Sequence, residues 1–321
     1  YLDAETKKIA SNSFALDRSS LRDLTEENTA LYVMGNFEVQ GVRGNLGLRY
    51  IQTDAASEYY LPGSNPNDAT NVPANKGFTT KKVSDDASYN DVLPSFNIAF
   101  DLTDDLLLRA SAAKVITRAN YTDMYATSSV SGLNNQNNTD GSVTKGNVAL
   151  LPYSANQADI GLEWYFASGS LVSAAVFTKS VSNFTTGTTL QHQALGIPDP
   201  DKGGRDDWEL VSKVNGSSGD IRGVEFQAQH TLESGFGGLF TYTYAEAYAP
   251  KSNFVDGNPQ LTESSHNTFN VVGFYENDTF SARLAYNWRS EYILREEPGF
   301  YKNRFVMPAG SLDFSASYHV I

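Results

Sequence analysis

Four groups of side chains in this sequence have types and spacings that chemistry could use. Ser111-Ala-Ala-Lys114 has the S-x-x-K spacing of an acyl-transfer nucleophile and its base. That chemistry needs a helix to bring both side chains to one face, and on a strand residues three apart point oppositely. The match is formal only. Asp199, Asp201 and Asp207 share a loop with Gly203 and Gly204, and calcium favours several carboxylates on such a turn. The loop lacks the spacing of an EF-hand and its terminal Glu, so a solvated acidic loop competes with a metal site. His192, His230, His266 and His319 show no metal-ligand spacing, and each reads as an isolated polar residue.

The remaining group is a binding surface. Tyr59, Tyr60, Tyr121, Tyr125, Trp208, Tyr248, Phe254, Tyr292 and Tyr301 lie in stretches rich in Asn, Asp and Ser. Aromatic faces beside amides and carboxylates suit sugar rings and many other nutrients. Packing of the loops themselves is the competing reading. Arg49, Arg109, Arg283, Arg289, Glu163 and Glu225 stand on the polar side of alternating segments, where they would either touch a ligand or line a wall. There is no Gly-rich phosphate loop, no H-E-x-x-H and no Ser/His/Asp set. No catalytic residue and no cofactor are expected.

The totals narrow the field further. Lys+Arg number 24 against Asp+Glu 37, a formal charge of -13, so nothing here would neutralise the phosphates of a nucleic acid. The absence of Cys removes disulfides, thiolate zinc sites and cysteine nucleophiles. Apolar runs are as short as Leu106-Leu107-Leu108, far below the ~18 residues a membrane helix needs. Membrane strands are exempt from that test, because they are short and alternating. The first residues, Tyr1-Leu2-Asp3-Ala4-Glu5, have neither the basic nor the apolar part of a leader.

Strands must position these groups. In Thr279–Arg289, Phe280, Ala282, Leu284, Tyr286 and Trp288 alternate with Ser281, Arg283, Ala285, Asn287 and Arg289, giving one apolar and one wet face. The pattern recurs about eleven times from residue 29 to 321, after a polar stretch over 1–28 that reads as a loop. Short turns such as Gly41-Val42-Arg43-Gly44 and Asn277-Asp278 alternate with long polar loops, at about 62–86, 118–152 and 184–218. No helix is signalled. Short turns at one rim and long loops at the other, with bulky residues on one face and charges on the other, predict an all-β transmembrane antiparallel up-and-down β-barrel. Slipping a strand by one residue would turn Arg283 and Arg289 toward lipid, at about 2–4 kcal/mol for an Arg at the bilayer midplane.

Particular stretches resemble a known family. They include DLLLRASAAKVITRANY from Asp105 to Tyr121, GNVALLPY from Gly146 to Tyr153, and LEWYF from Leu162 to Phe166. LVSAAVFTK from Leu171, GVEFQ from Gly223, NVVGFYE from Asn270 and SARLAYNWRS from Ser281 follow in order. Together these are similar to the barrel of TonB-dependent outer-membrane receptors of proteobacteria. Ala119 and Val148 stand where that family often has Pro. The resemblance implies a 22-stranded barrel preceded by a signal peptide, a TonB-contacting segment and a plug. This chain would then be about eleven strands of it, an incomplete portion without plug or closing strands. It implies energised uptake of a scarce nutrient. The implied partners are TonB, outer-membrane lipid and lipopolysaccharide, a small-molecule or oligosaccharide ligand and a surface lipoprotein. Oligosaccharide is the favoured solute at this point; a ferric siderophore, or passive porin-like flow, is the alternative.

Overall fold

Alternation of side chains gives each strand two unlike faces, and the ladders bring like faces together. A computed structural model describes residues 22–62, 78–131, 141–199, 202–216, 218–251, 260–294 and 304–319. Asp201, Phe254 and Tyr301 lie outside the described residues. The strands are β1 (Asp23–Val39), β2 (Val42–Pro62), β3 (Phe78–Asp101), β4 (Leu106–Thr117), β5 (Ser128–Ser131) and β6 (Ser142–Lys145). They continue with β7 (Tyr153–Ala167), β8 (Ser170–Ser182), β9 (Thr185–Gln193), β10 (Trp208–Asn215), β11 (Gly219–Thr231) and β12 (Phe236–Tyr248). The last are β13 (Asn267–Glu276), β14 (Phe280–Arg289), β15 (Tyr292–Leu294), β16 (Arg304–Val306) and β17 (Ala309–Tyr318). One helical turn, α1 (Tyr121–Met124), follows β4.

Eleven strands form one antiparallel sheet in the order β1-β2-β3-β4-β7-β8-β11-β12-β13-β14-β17. The count and the up-and-down order agree with the sequence. Its extents do not, in two respects. The segment 23–28 belongs to β1 rather than to an entering loop; and β2 continues past Tyr50 as far as Pro62, while β3 starts at Phe78, inside the polar stretch expected to be a loop at 62–86. The loops expected at 118–152 and 184–218 also carry strands. β5, β6, β10 and β9 make a second, four-stranded sheet at the long-loop end, in that order.

Register decides what each face presents. One row across the sheet reads Leu108, Leu162, Ala174, Phe226, Tyr242, Phe269 and Trp288. The adjacent row on the opposite face reads Arg109, Gly161, Ala175, Glu225, Thr243, Thr268 and Arg289. We call the first face outer and the second inner. Leu46, Leu48, Val92, Ile160, Val176, Val224, Leu284 and Phe314 all stand on the outer face and are all exposed. An apolar surface that is continuous over many strands and has no described segment packed on it is a site of interaction, here of the size and form a bilayer covers.

The band has edges. On β1 its outer residues run from Leu31 to Val39, and on β2 from Val42 to Tyr50, nine residues each. About 9–11 tilted residues cross a bilayer core. Beyond Leu31 and Tyr50 the same face turns polar, with Thr25, Glu27 and Thr29 beside Gln52, Asp54 and Glu58. Aromatic pairs mark both rims. Phe269 stacks on Trp288 at 5.2 Å toward the long loops, and Phe236 meets Tyr275 at 4.6 Å near the short turns. Among the described residues no helix is long and apolar enough to cross a membrane, which says nothing about strands.

Two glycines are required by this geometry. The β1–β2 turn closes through Gly41 at φ +75°, a conformation L side chains rarely adopt. On the inner face the Phe274 ring lies over Gly237, leaving no room for a Cβ.

Candidate functional site

The inner face and the long-loop mouth above it are where the expected site residues fall, and they fall into different surroundings. Near the short turns Arg109 Nε lies 2.9 Å from Glu163 Oε1, and Tyr165 donates its hydroxyl to Glu163 Oε2 at 2.7 Å. Ser111 is bonded to Asp159 beside them. This Ser is therefore a wall residue, and Lys114, its S-x-x-K partner, instead reaches Asp91 at 3.6 Å. Arg43 is paired to Asp101 at 2.6 Å. Arg49 is exposed, between Tyr32 and Leu93.

Glu225 and Arg289 share the register row of Arg109, each about 14 Å from the next at ~4.8 Å per strand. Ladder geometry aligns these charges without gathering them into one pocket. Arg283 is exposed on β14 between Phe274 and Ser315. Between Glu225 and Arg289 the inner face carries neutral hydrogen-bonding groups. Gln227, Thr241, Asn270, Asn287 and Ser311 form one row, and Asn270 is bonded to Asn287.

At the mouth, the aromatics expected to meet solute are mostly occupied. Trp208 is 0% exposed. It packs with Val130, Val143 and Ile197 in the core of the small sheet, and its Nε1 donates to the Ile197 carbonyl at 2.8 Å. The geometry thus gives Trp208 a packing role in place of the expected solute contact, because both ring faces are enclosed. Arg22 sits 5.7 Å from the Tyr125 ring centre, and Arg289 sits 4.6 Å from that of Tyr292. Arg289 also donates to the Tyr292 hydroxyl at 3.3 Å. Tyr248 is half-buried, with His266 at 6.3 Å. Tyr121, at the start of α1, is exposed.

The acidic loop is organised around its own groups. Asp206 accepts the backbone N–H of Leu195 and Gly196 at 2.8 and 2.7 Å. Asp207 lies 3.0 Å from His192 Nδ1 and 3.4 Å from Lys202 Nζ, and the His192 hydrogen bond does most to hold its carboxyl below the usual value. Asp199 is buried in a backbone bridge to Arg205. No three metal-ligating side chains come together among the described residues.

Tyr59 apart, sequence reading missed the groups that fix the mouth. Lys145, on β6, lies 2.5 Å from Asp85 Oδ2 and 4.8 Å from the Tyr59 ring centre. Tyr59, 5% exposed, donates to Asp85 Oδ1 at 3.2 Å. Burial works to lower the pKa of Lys145, but its bonds to Asp85 and Tyr59 outweigh this and hold it raised. Burial also raises that of Tyr59. Arg118 Nε stands 2.6 Å from Glu26 Oε1, in ion-pair rather than linear hydrogen-bond geometry, and its Nη2 donates to Asn28 Oδ1 at 2.5 Å. The only trace in the sequence is the alternation Ile51, Thr53, Ala55, Ser57, Tyr59, whose small side chains leave space for a packed segment.

A two-faced sheet of eleven long antiparallel strands, lipid-sized on one side and charged on the other, can be set against known proteins. Residues 4–320 match the family model described as TonB dependent receptor-like, beta-barrel. The chain belongs to the TonB-dependent receptor β-barrel family. That family resides in the outer membrane of Gram-negative bacteria. Among solved structures, the barrel is similar to the ferric-catecholate import receptor Fiu from K12 E. coli, at 14% identity and TM-score 0.63. That match covers 94% of this chain and 39% of Fiu. The ferric enterobactin receptor PfeA of Pseudomonas aeruginosa gives 15% and 0.61, covering 93% of this chain and 47% of that one. The siderophore receptor PirA of Acinetobacter baumannii gives 13% and 0.59, covering 92% and 48%. The chain spans less than half of each of these receptors. No curated protein sequence matches it.

Proposed function

We propose that the chain forms part of the wall of an outer-membrane importer, driven through TonB, whose solute is a ferric siderophore. The observation that carries this reading is the two-faced sheet. Its outer apolar band fits a bilayer, and its inner face supplies ion pairs and amides that suit water, a plug and a passing polar solute. Transport of this kind makes and breaks no covalent bond in the solute, which agrees with wall charges tied to one another rather than grouped around a nucleophile.

Three considerations move the solute from oligosaccharide to iron chelate. The similar solved structures are named as ferric-siderophore receptors. The stacking faces that favoured sugars are also largely taken, by the core around Trp208 and by Arg22 and Arg289 over Tyr125 and Tyr292. The cations Arg283 and Arg289 on the inner face suit an anionic chelate better than a neutral sugar. Lipopolysaccharide would meet the polar outer face above Leu31 and Tyr50, and a surface lipoprotein or calcium would belong to the loop end.

Uptake tests the reading. Cells whose sole receptor is the full-length protein should accumulate radiolabelled iron from ferric enterobactin or a related catecholate, and lose this when TonB is deleted. Accumulation of maltohexaose but of no iron chelate would restore the sugar reading. Uptake that ignores TonB would favour a passive pore.

A further inference from the structure

We propose that the upper parts of β1–β3 and the small outer sheet form one rigid body, joined by an inner brace and separated from the rest of the wall by a seam beside Pro94. The inference does not depend on which solute is carried.

The seam follows from the ladders. β3 and β4 pair from Asp101↔Leu107 up to Ser95↔Ala113 and no further. The next residue of β3 is Pro94, which has no amide hydrogen to donate and is suited to a place where pairing stops. Above it β3 continues from Leu93 to Phe78 with β2 as its ladder partner, while Lys114–Thr117 of β4 pair with β7. Side chains alone bridge the opening among the contacts described: Lys114 pairs with Asp91 at 3.6 Å, and Arg118, just past β4, is hydrogen-bonded to Tyr89.

Without lateral support, the inner face of this extension would be open. Instead Thr53, Ala55, Ser57 and Tyr59 are buried, because residues 118–131 and 141–151 lie against them. Met124 and Leu150, each 1% exposed, pack on Ala55 with Ala119 and Val148. Arg118 is paired to Glu26 on β1, Lys145 to Asp85 on β3, and the Ala126 N–H donates to Ser57 Oγ on β2 at 3.0 Å. Each strand of the extension is thus held by a separate contact.

The same brace grips the outer sheet. β6 and β10 form a parallel ladder. Ser212 donates to the Lys145 carbonyl at 2.8 Å, Asn147 to that of Lys213 at 2.9 Å, and Asn215 exchanges two bonds with Leu151. Lys145 is the junction: its side chain holds the wall while its backbone holds β10. The base of the β9–β10 hairpin is also tied beside β7 and β8, where Asn215 donates to the Asn183 carbonyl and Asn183 to that of Pro152, so a load on its upper part passes through Lys145 to β1–β3 as a whole, and the seam is where relative motion is absorbed.

Hydrogen exchange on the full-length receptor in nanodiscs tests this. In Lys145→Met, and separately in Arg118→Met, amides of 51–60, 82–93 and 208–215 should exchange faster together, by about tenfold. Amides of 95–101 and 106–113, below the seam, should be unchanged. Acceleration confined to 208–215, or spread evenly over both sides of the seam, would overturn the proposal. Should these variants fail to fold, spin labels in an otherwise unaltered receptor give the answer. Ser84→Cys with Thr189→Cys should show a narrow distance distribution, and Ser84→Cys with Asn156→Cys a broader one. Equal widths would overturn it.

Discussion

On β1–β3 the inner face above the lipid band is covered, and its charges are paired inside that cover. On β12–β14 and β17 the inner face is bare of any described segment; one middle row holds the amides and hydroxyls Thr241, Asn270, Asn287 and Ser311, and the next holds Leu239, Val272, Ala285 and Asp313. The difference is one of fixed against exchangeable contacts. Arg118–Glu26 and Lys145–Asp85 are partly withdrawn from water, so losing one partner leaves a costly charge behind. Thr241, Asn270 and Ser311 can trade one neutral partner for another, or for water, at little cost. The first surface is built to stay; the second is built to let go.

The largest effect should come from the apolar centre of the covered side. Met124→Ala should cost about 2–5 kcal/mol locally, as a fully buried large-to-small change. Limited proteolysis between 118 and 151 should reveal it, while the β12–β17 ladders stay protected. Next, Arg118→Met strands the Glu26 carboxylate and should cost about 1–3 kcal/mol. Denaturant titration of the folded receptor measures it, and Glu26→Gln added to Arg118→Met should recover part of the loss.

How much of this contrast was legible in the sequence depends on where the chain lies. On β14, Leu284 and Tyr286 stand on the outer face and Arg283 and Asn287 on the inner, so strict alternation gave both strand and face. On β2 beyond Tyr50 the outer residues Gln52, Asp54 and Glu58 meet water, and the inner Thr53, Ala55 and Ser57 are small. With no lipid to impose contrast, a strand there reads as a loop. The Asp85–Lys145 pair joins residues 60 positions apart, and local periodicity carries no signal for it. Trp208 looked like a binding residue because a loop aromatic and a core aromatic have the same local sequence; only the ladder from β6 to β10 separates them. The charges Arg109 and Glu163 were found singly, and their pairing came from the register of β4 on β7.

Smaller effects complete the comparison. Asp207 is held below the ordinary carboxylate value, chiefly by His192, so its contribution is present above that value and lost as the pH falls through the lowered one. Protection of amides 191–193, around His192, should therefore fall on acidification toward pH 3 once intrinsic exchange is allowed for, and Asp207→Asn should flatten this dependence. On the bare side, Thr241→Val or Asn287→Ala should change stability by no more than about 0.5 kcal/mol, the usual range for surface positions. A loss several times larger at Asn287 would mean that the inner rows of the two sides are not built differently after all.

The central claim concerns which side of the sheet meets lipid. The direct measurement is a spin-label scan along β14 in the full-length receptor in a bilayer, comparing collisions with oxygen and with a water-soluble nickel complex. Positions 280, 282, 284, 286 and 288 should favour oxygen, and 281, 283, 285, 287 and 289 the nickel complex, with a period of two residues. The reverse phase, or equal access on both faces, would contradict the account.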